Sequence, residues 1–132
     1  MKIILRNNGS AIIVVIFAIA LLSVVTMGIL QMNTEEIQLM QNQIFASQAL
    51  ATAEAGLNDA FARIRGGSDP NIADEPFNGG TYDVNVTGTL PNLTVTSTGT
   101  TSQSFVARVE ADITVGTSSP YVIRIDNLRI NE

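Results

Sequence analysis

The chain contains no cysteine, no histidine and no tryptophan among its 132 residues. The lack of thiol and imidazole groups excludes Ser-His and Cys-His nucleophilic pairs and the zinc sites that these side chains build. A disulfide framework is excluded for the same reason. The sequence therefore predicts a protein that is not an enzyme, with no catalytic residue, no metal site and no cofactor.

Positive charge is also scarce. Seven Lys and Arg residues stand against twelve Asp and Glu residues, which gives a net charge of −5 at pH 7. Proteins that bind nucleic acid neutralise phosphates with Lys and Arg, so nucleic-acid binding is not predicted. A length of 132 residues with 45% hydrophobic side chains allows one compact domain plus an anchor, but hardly two full cores.

A long apolar segment lies near the N-terminus. No charged residue occurs between Arg6 and Glu35, and residues 11–30 are interrupted only by Ser, Thr and Gly. About 20 apolar residues, at about 1.5 Å each, cross the hydrocarbon core of a membrane. The sequence predicts a membrane helix over 10–34, and the residues expected on it include Ala11, Ile12, Ile13, Val14, Val15, Ile16, Phe17, Leu21, Leu22 and Gly28.

The charges on either side of this segment predict its orientation. Lys2 and Arg6 precede it, whereas the part after it carries five arginines and all twelve acidic residues. The positive-inside rule then places the C-terminal part outside the cytoplasm. A cleaved secretory signal is the alternative, because Ala18-Ile19-Ala20 matches a signal-peptidase site. Cleavage there would leave residues 21–30 as an apolar new N-terminus.

The helical pattern continues beyond the apolar segment, over 35–67. No proline occurs from 35 to 65, and Gly66-Gly67 is expected to end the helix. Apolar residues recur in steps of three, four, six or seven and predict one stripe along the helix, made of Ile37, Met40, Ile44, Leu50, Leu57, Phe61 and Ile64.

The remainder of the chain predicts a connecting loop over 68–80 and an antiparallel sheet of about four strands over 81–132. The loop is rich in Pro, Asn, Asp and Gly, and its acidic residues fit turn chemistry better than a calcium loop. The strands show apolar residues at every second position, with a phase shift at Asn127 that indicates a bulge. The fold class is therefore α+β, with the second half of the long helix covering one face of the sheet.

Three stretches of sequence carry a family resemblance. Residues 9–15 read Gly-Ser-Ala-Ile-Ile-Val-Val, residues 51–57 read Ala-Thr-Ala-Glu-Ala-Gly-Leu, and residues 93–99 precede an alternating strand over 105–115. Together they resemble type IV pilin-like proteins, and more narrowly PilX-type minor pilins. The resemblance implies a leader over 1–9 that a prepilin peptidase removes between Gly9 and Ser10, followed by methylation of Ser10.

The resemblance also implies how such a subunit works. It would be held in the bacterial inner membrane as a single-pass protein and then assembled by a pilus or secretion machinery. In the extracellular or periplasmic filament its apolar helix would pack against other pilin-like subunits. Two positions depart from the family pattern: Asn7 and Asn8 replace basic residues, and Val14 stands where major pilins carry glutamate. The second departure favours a rare, priming or tip subunit.

Two questions stay open from the sequence. The parent machine could be a pilus, a secretion pseudopilus or a DNA-uptake apparatus. The rival function is an uncleaved, membrane-anchored binding domain outside the cytoplasm that does not polymerise.

Overall fold

A computed structural model describes residues 8–131. It contains one helix, α1 (Asn8–Gly66), followed by five strands, which are β1 (Ile72–Phe77), β2 (Gly80–Thr89), β3 (Asn92–Thr101), β4 (Val106–Val115) and β5 (Ile123–Asn131). The predicted α+β fold is confirmed. Most of the predicted leader, including Lys2 and Arg6, lies outside the described residues.

The chain divides into two compact units, Met1–Gln41 and Asn42–Glu132. We call them the N-terminal unit and the C-terminal unit. The described part of the N-terminal unit is wholly helical, whereas the C-terminal unit contains the rest of α1 and the sheet.

Helix α1 ends where the paired glycines predict. Gly67 has a φ of 70°, its N–H donates to the Ile64 carbonyl at 3.1 Å, and the Ser68 N–H donates to the Arg63 carbonyl at 2.9 Å. This pair of hydrogen bonds is the Schellman motif, which requires a left-handed residue after the last helical turn. Glycine fills that position without steric cost, so the Gly66-Gly67 pair marks the end of the helix.

The two glycines predict opposite responses to alanine. Gly67→Ala is expected to lower the free energy of unfolding by about 1 kcal/mol, because alanine is strained at positive φ. Gly66→Ala is expected to raise it by up to about 1 kcal/mol, because Gly66 is helical and alanine is the better helix former. An added Cβ at Gly66 meets nothing nearer than 3.9 Å. Thermal unfolding of both variants measures the difference, and equal shifts would contradict this account of the cap.

The sheet is an antiparallel meander in the order β1-β2-β3-β4-β5. Four of its strands occupy the segments predicted, but the prediction of a connecting loop over 68–80 was wrong for residues 72–77, which form β1. Asn78 and Gly79 have φ of 49° and 79°, and Phe77 pairs with Gly80. Two consecutive positive φ values are what a two-residue hairpin turn of type I′ requires. This turn brings the acidic, proline-containing segment before it back alongside β2, where it forms the edge strand β1.

The predicted bulge in the last strand is confirmed. Asp112 pairs with Asn127 and Ile113 pairs with Ile125, so Asp126 is an extra residue in β5. Its carboxylate accepts hydrogen bonds from Thr114 Oγ1 at 2.6 Å and from Arg124 Nε at 2.7 Å. Hydrogen bonding from Thr114, supported by Arg124, lowers the pKa of Asp126 below its ordinary value.

The core of the C-terminal unit lies between α1 and the inner face of the sheet. Small residues on the helix allow a close approach, since Ala49, Ala53 and Ala60 are fully buried. At Gly99 on β3, an added Cβ would collide with backbone atoms of Ala49 and Ala53. The helix backbone therefore rests directly on the sheet at this point.

The predicted single stripe on α1 was wrong in its first part. Leu57 and Ile64 are buried at 7% exposure, whereas Ile44 is 63% exposed. A helix turns by about 100° per residue, so Ile44, nine residues before Ala53, lies on the side opposite the sheet. Ile44 and Leu50, which are six residues apart, therefore lie on different faces of α1. The apolar spacing in the sequence does not show this change of face.

Tyr82 on β2 links the sheet to the flank of the helix. Its hydroxyl donates to Asp59 Oδ2 at 3.1 Å, and Arg63 Nη2 donates to the same oxygen at 3.3 Å. Burial raises the pKa of Tyr82 above its ordinary value of 10.0, and the hydrogen bond to Asp59 raises it further.

Tyr82→Phe is expected to lower the free energy of unfolding by about 1 kcal/mol at neutral pH, the usual net value of one hydrogen bond. A raised pKa in the folded state means that the neutral phenol stabilises the fold. This contribution is fully present below pH 10 and is lost as pH rises through the folded pKa. Denaturant unfolding from neutral to alkaline pH measures it. The wild type should lose more stability than Tyr82→Phe above pH 10, and parallel curves would contradict the assignment.

Candidate functional site

The described part of the N-terminal unit exposes apolar side chains on every side of the helix. Its most apolar window has a mean hydropathy of 3.0, and none of that window is buried. The large residues among those predicted for the membrane are exposed by between 52% and 69%, and they are Ile12, Ile13, Val14, Val15, Ile16, Phe17, Leu21 and Leu22. A surface helix of a globular protein has one apolar stripe, so a helix that is apolar all round needs lipid or other helices around it.

Three hydroxyl groups in this segment, those of Ser23, Thr26 and Thr34, have partners within the helix. Ser23 Oγ donates to the Ile19 carbonyl at 2.8 Å, and Thr26 Oγ1 donates to the Leu22 carbonyl at 2.5 Å. Thr34 bonds back to the Leu30 carbonyl in the same way at 2.9 Å. Bonds of this kind remove the need for water, so the segment is compatible with a hydrocarbon environment.

Gly28 leaves an open place on the surface of this helix. An added Cβ would meet no atom within 4 Å, and α1 continues through the position without a break. Small residues allow the backbones of neighbouring membrane helices to approach each other. Gly28 is therefore a place where a second helix can pack closely.

The predicted processing residues lie at the start of α1. Gly9 and Ser10 are in the first turns of the helix, immediately before the apolar residues. Val14 is 63% exposed, and no acidic residue occurs from position 11 to 34. The described helix thus carries no carboxylate into the apolar region.

The C-terminal unit has polar groups that serve its own fold. A concavity of about 450 Å³ lies beside β1, and its lining includes Asn71 and Asp83. Asn71 Oδ1 accepts from the Val86 N–H at 2.9 Å, and Asp83 Oδ1 accepts from the Asp74 N–H at 3.0 Å. The two side chains therefore hold β1, and the residue just before it, against β2. Within residues 8–131 no group of His, Cys, Asp or Glu is arranged to hold a metal ion.

Asp69 behaves as a turn former, whereas Asp74 and Glu75, for which turn chemistry was also predicted, lie in strand β1. Asp69 Oδ1 accepts hydrogen bonds from the Asn71 backbone N–H at 3.0 Å and from Asn71 Nδ2 at 2.9 Å. The backbone bond, and then the side-chain bond, lowers the pKa of Asp69. The prediction of turn chemistry at Asp69-Pro70-Asn71 is confirmed.

Two further sets of apolar residues are exposed. Ile37 and Met40 in the N-terminal unit and Ile44 in the C-terminal unit are 54%, 59% and 63% exposed. We call Ile125, Leu128 and Ile130 the β5 row; they are 52%, 51% and 48% exposed. The apolar spacing of both sets is visible in the sequence, but periodicity alone does not say which apolar residues a partner element covers.

Comparison with protein-family profiles, curated proteins and solved structures finds no match to the chain. The pilin resemblance therefore depends on the sequence segments given above, and the helix is established as long and apolar enough to cross a membrane.

Proposed function

We propose that the chain is a structural subunit, of the minor pilin or pseudopilin kind, in a type IV pilus or a related filament. One observation carries this proposal: α1 is apolar and exposed on all sides over residues 11–30 and is also the helix that packs on the sheet in the C-terminal unit. The C-terminal unit thus contains the second part of a helix whose first part requires an apolar environment.

The apolar segment would serve in two environments. In the inner membrane its side chains face lipid, and its hydroxyls bond to the helix backbone. In a filament the same side chains would be buried against the helices of neighbouring subunits. Transfer from lipid to a helix bundle changes the apolar partner without exposing the segment to water, so the step does not oppose the hydrophobic effect.

The absence of an acidic residue at position 14 supports a rare subunit. A buried carboxylate without a partner is costly in an apolar environment. With Val14 at this place, the helix needs no neighbouring amine to neutralise it. A subunit at the tip, or one that starts assembly, lacks a neighbour on one side and would tolerate this arrangement.

Mass spectrometry of the N-terminus of the protein isolated from its own cells tests the proposal. A mature chain that begins at a methylated Ser10 is the expected result. A chain that begins at Met1, in cells with active prepilin peptidase, would overturn the proposal and favour an uncleaved, membrane-anchored binding domain. A chain that begins at Leu21 would instead identify residues 1–20 as a secretory signal.

A further inference from the structure

The methionines are confined to the first part of the chain. All four, Met1, Met27, Met32 and Met40, occur within residues 1–41, and the last three lie on α1. Met27, Met32 and Met40 are 72%, 69% and 59% exposed. The core of the C-terminal unit is built from Ala, Leu, Ile, Val and Tyr. Methionine is ordinarily among the residues most often buried, so its restriction to an exposed helix is unusual.

These thioethers are the only sulfur groups of the chain, which has no cysteine. A peroxide oxidises an accessible methionine to the sulfoxide. With hydrogen peroxide, the thioether sulfur attacks one oxygen and the O–O bond breaks. That oxygen stays on sulfur, and the other leaves as water after taking up the proton. The sulfur loses two electrons and the peroxide gains two. Methionine sulfoxide reductases reverse the change.

The three methionines on α1 differ in their distance from the apolar segment. Met27 lies within residues 11–30, and Met32 follows two residues after Leu30. Met40 is ten residues beyond Leu30, which is about 15 Å along a helix, and it comes after Glu35 and Glu36. In the predicted membrane arrangement lipid surrounds Met27, whereas water reaches Met40. A polar oxidant enters hydrocarbon poorly, so we expect Met40 to react first.

The neighbours of Met40 on the helix leave its thioether accessible. Residues three and four positions earlier lie on the same helix face, and these are Ile37 and Glu36. Both are exposed. Met40 belongs neither to the core cluster nor to the partly buried residues that pack against it. Oxidation of Met40 therefore changes the polarity of the helix surface without altering the core of the C-terminal unit.

We propose that Met40 is a site of reversible oxidation by peroxides outside the membrane, with Met32 as a slower second site, and that the sulfoxide holds the chain back from assembly. The second half of this inference rests on the proposed filament function, whereas the oxidation does not depend on it. No cysteine competes for the oxidant in this chain.

The effect on assembly follows from the polarity of the sulfoxide. Its oxygen is a hydrogen-bond acceptor, and water satisfies it while the helix is exposed. A neighbouring helix in a filament offers few donors, because its backbone N–H groups are already bonded within the helix. Burying a polar group without a partner is unfavourable. An oxidised chain should therefore enter a filament less readily than a reduced one.

Peptide mass spectrometry of the full chain in its own membranes tests the site. Membranes are treated with hydrogen peroxide, and the oxygen gained at each methionine is followed with time. The expected result is oxidation of Met40 several-fold faster than Met27, with Met32 between them. The same treatment in denaturant is the control and should make the three rates similar. Equal rates in the membrane, or Met27 reacting first, would overturn the site.

Met40→Leu tests the effect on assembly. Leucine keeps a similar volume and cannot be oxidised, and Met27→Leu is the matched control. Cells are treated with hydrogen peroxide, and the chain recovered in new filaments is compared with each variant's own untreated sample. We expect a several-fold loss for the wild type and for Met27→Leu, and little loss for Met40→Leu.

Each remaining outcome decides one part of the proposal. Equal loss for all three chains would overturn a role of Met40 in assembly. A chain missing from filaments of untreated wild-type cells would overturn the proposed function, and with it the effect on assembly. In that case the oxidation rates measured in membranes would still decide whether Met40 is the oxidised site.

Discussion

Gly99→Ala is expected to unfold the C-terminal unit at a much lower temperature than the wild type. The new Cβ would collide with the Ala49 carbonyl oxygen and the Ala53 backbone nitrogen, and it would lie 3.0 Å from the Thr52 carbonyl carbon. These are backbone atoms of α1, so no side-chain rotation relieves the collision and the helix must move away from the sheet. We expect a loss of about 3 kcal/mol, at the upper end for an overpacked core. For a unit of this size that corresponds to a drop in Tm of roughly 15 °C.

Gly116→Ala is the matched control, because its added Cβ meets its nearest atom at 3.5 Å, an ordinary contact. Thermal unfolding of the full chain in detergent, followed by tyrosine emission, measures both variants. The chain has no tryptophan, and both tyrosines, Tyr82 and Tyr121, lie in the C-terminal unit. Equal Tm values for the two variants would show that α1 does not rest on Gly99.

Gly9→Val is expected to leave essentially every chain uncleaved in the inner membrane. By the family resemblance, the prepilin peptidase cuts immediately after this glycine. Valine would place a branched side chain beside the peptide bond to be cut, at a position where glycine presents none. The intact mass of the membrane-bound protein should then include residues 1–9, and the protein should be missing from filaments.

Gly28→Val is the control for Gly9→Val. It makes the same change within the same helix, and the site has open space for an added Cβ. We expect it to be processed normally. Export of Gly9→Val into fibres would contradict the proposed processing, whereas failure of both variants would indicate that valine harms insertion of the helix.

The features of the fold that depend on local periodicity were predictable from the sequence. The apolar run and the absence of proline predicted one helix, and alternation predicted the positions of β2, β3, β4 and β5. The phase shift near Asn127 predicted the bulge, because one extra residue reverses the side of every side chain that follows. In each of these cases the signal lies within the element itself.

The features that were missed depend on more than local pattern. Strand β1 has exposed acidic residues and a proline, so it shows no alternation, and its signal is the Asn78-Gly79 turn that follows it. Apolar spacing alone could not assign the face of α1 on which Ile44 lies. The six-residue step from Ile44 to Leu50 is nearly as compatible with two different helix faces as with a single one. The β5 row is half exposed because a single helix is too narrow to cover all five strands. No single stretch of the sequence contains that information.

The meander order of the sheet has a kinetic consequence. Every strand pairs with its neighbour in the chain, so each loop that must close during folding is short. Proteins dominated by such local contacts have low contact order and fold faster than sheets with long crossovers. Hairpins can therefore form one after another along the chain, and each strand edge stays unpaired only briefly before the next strand covers it.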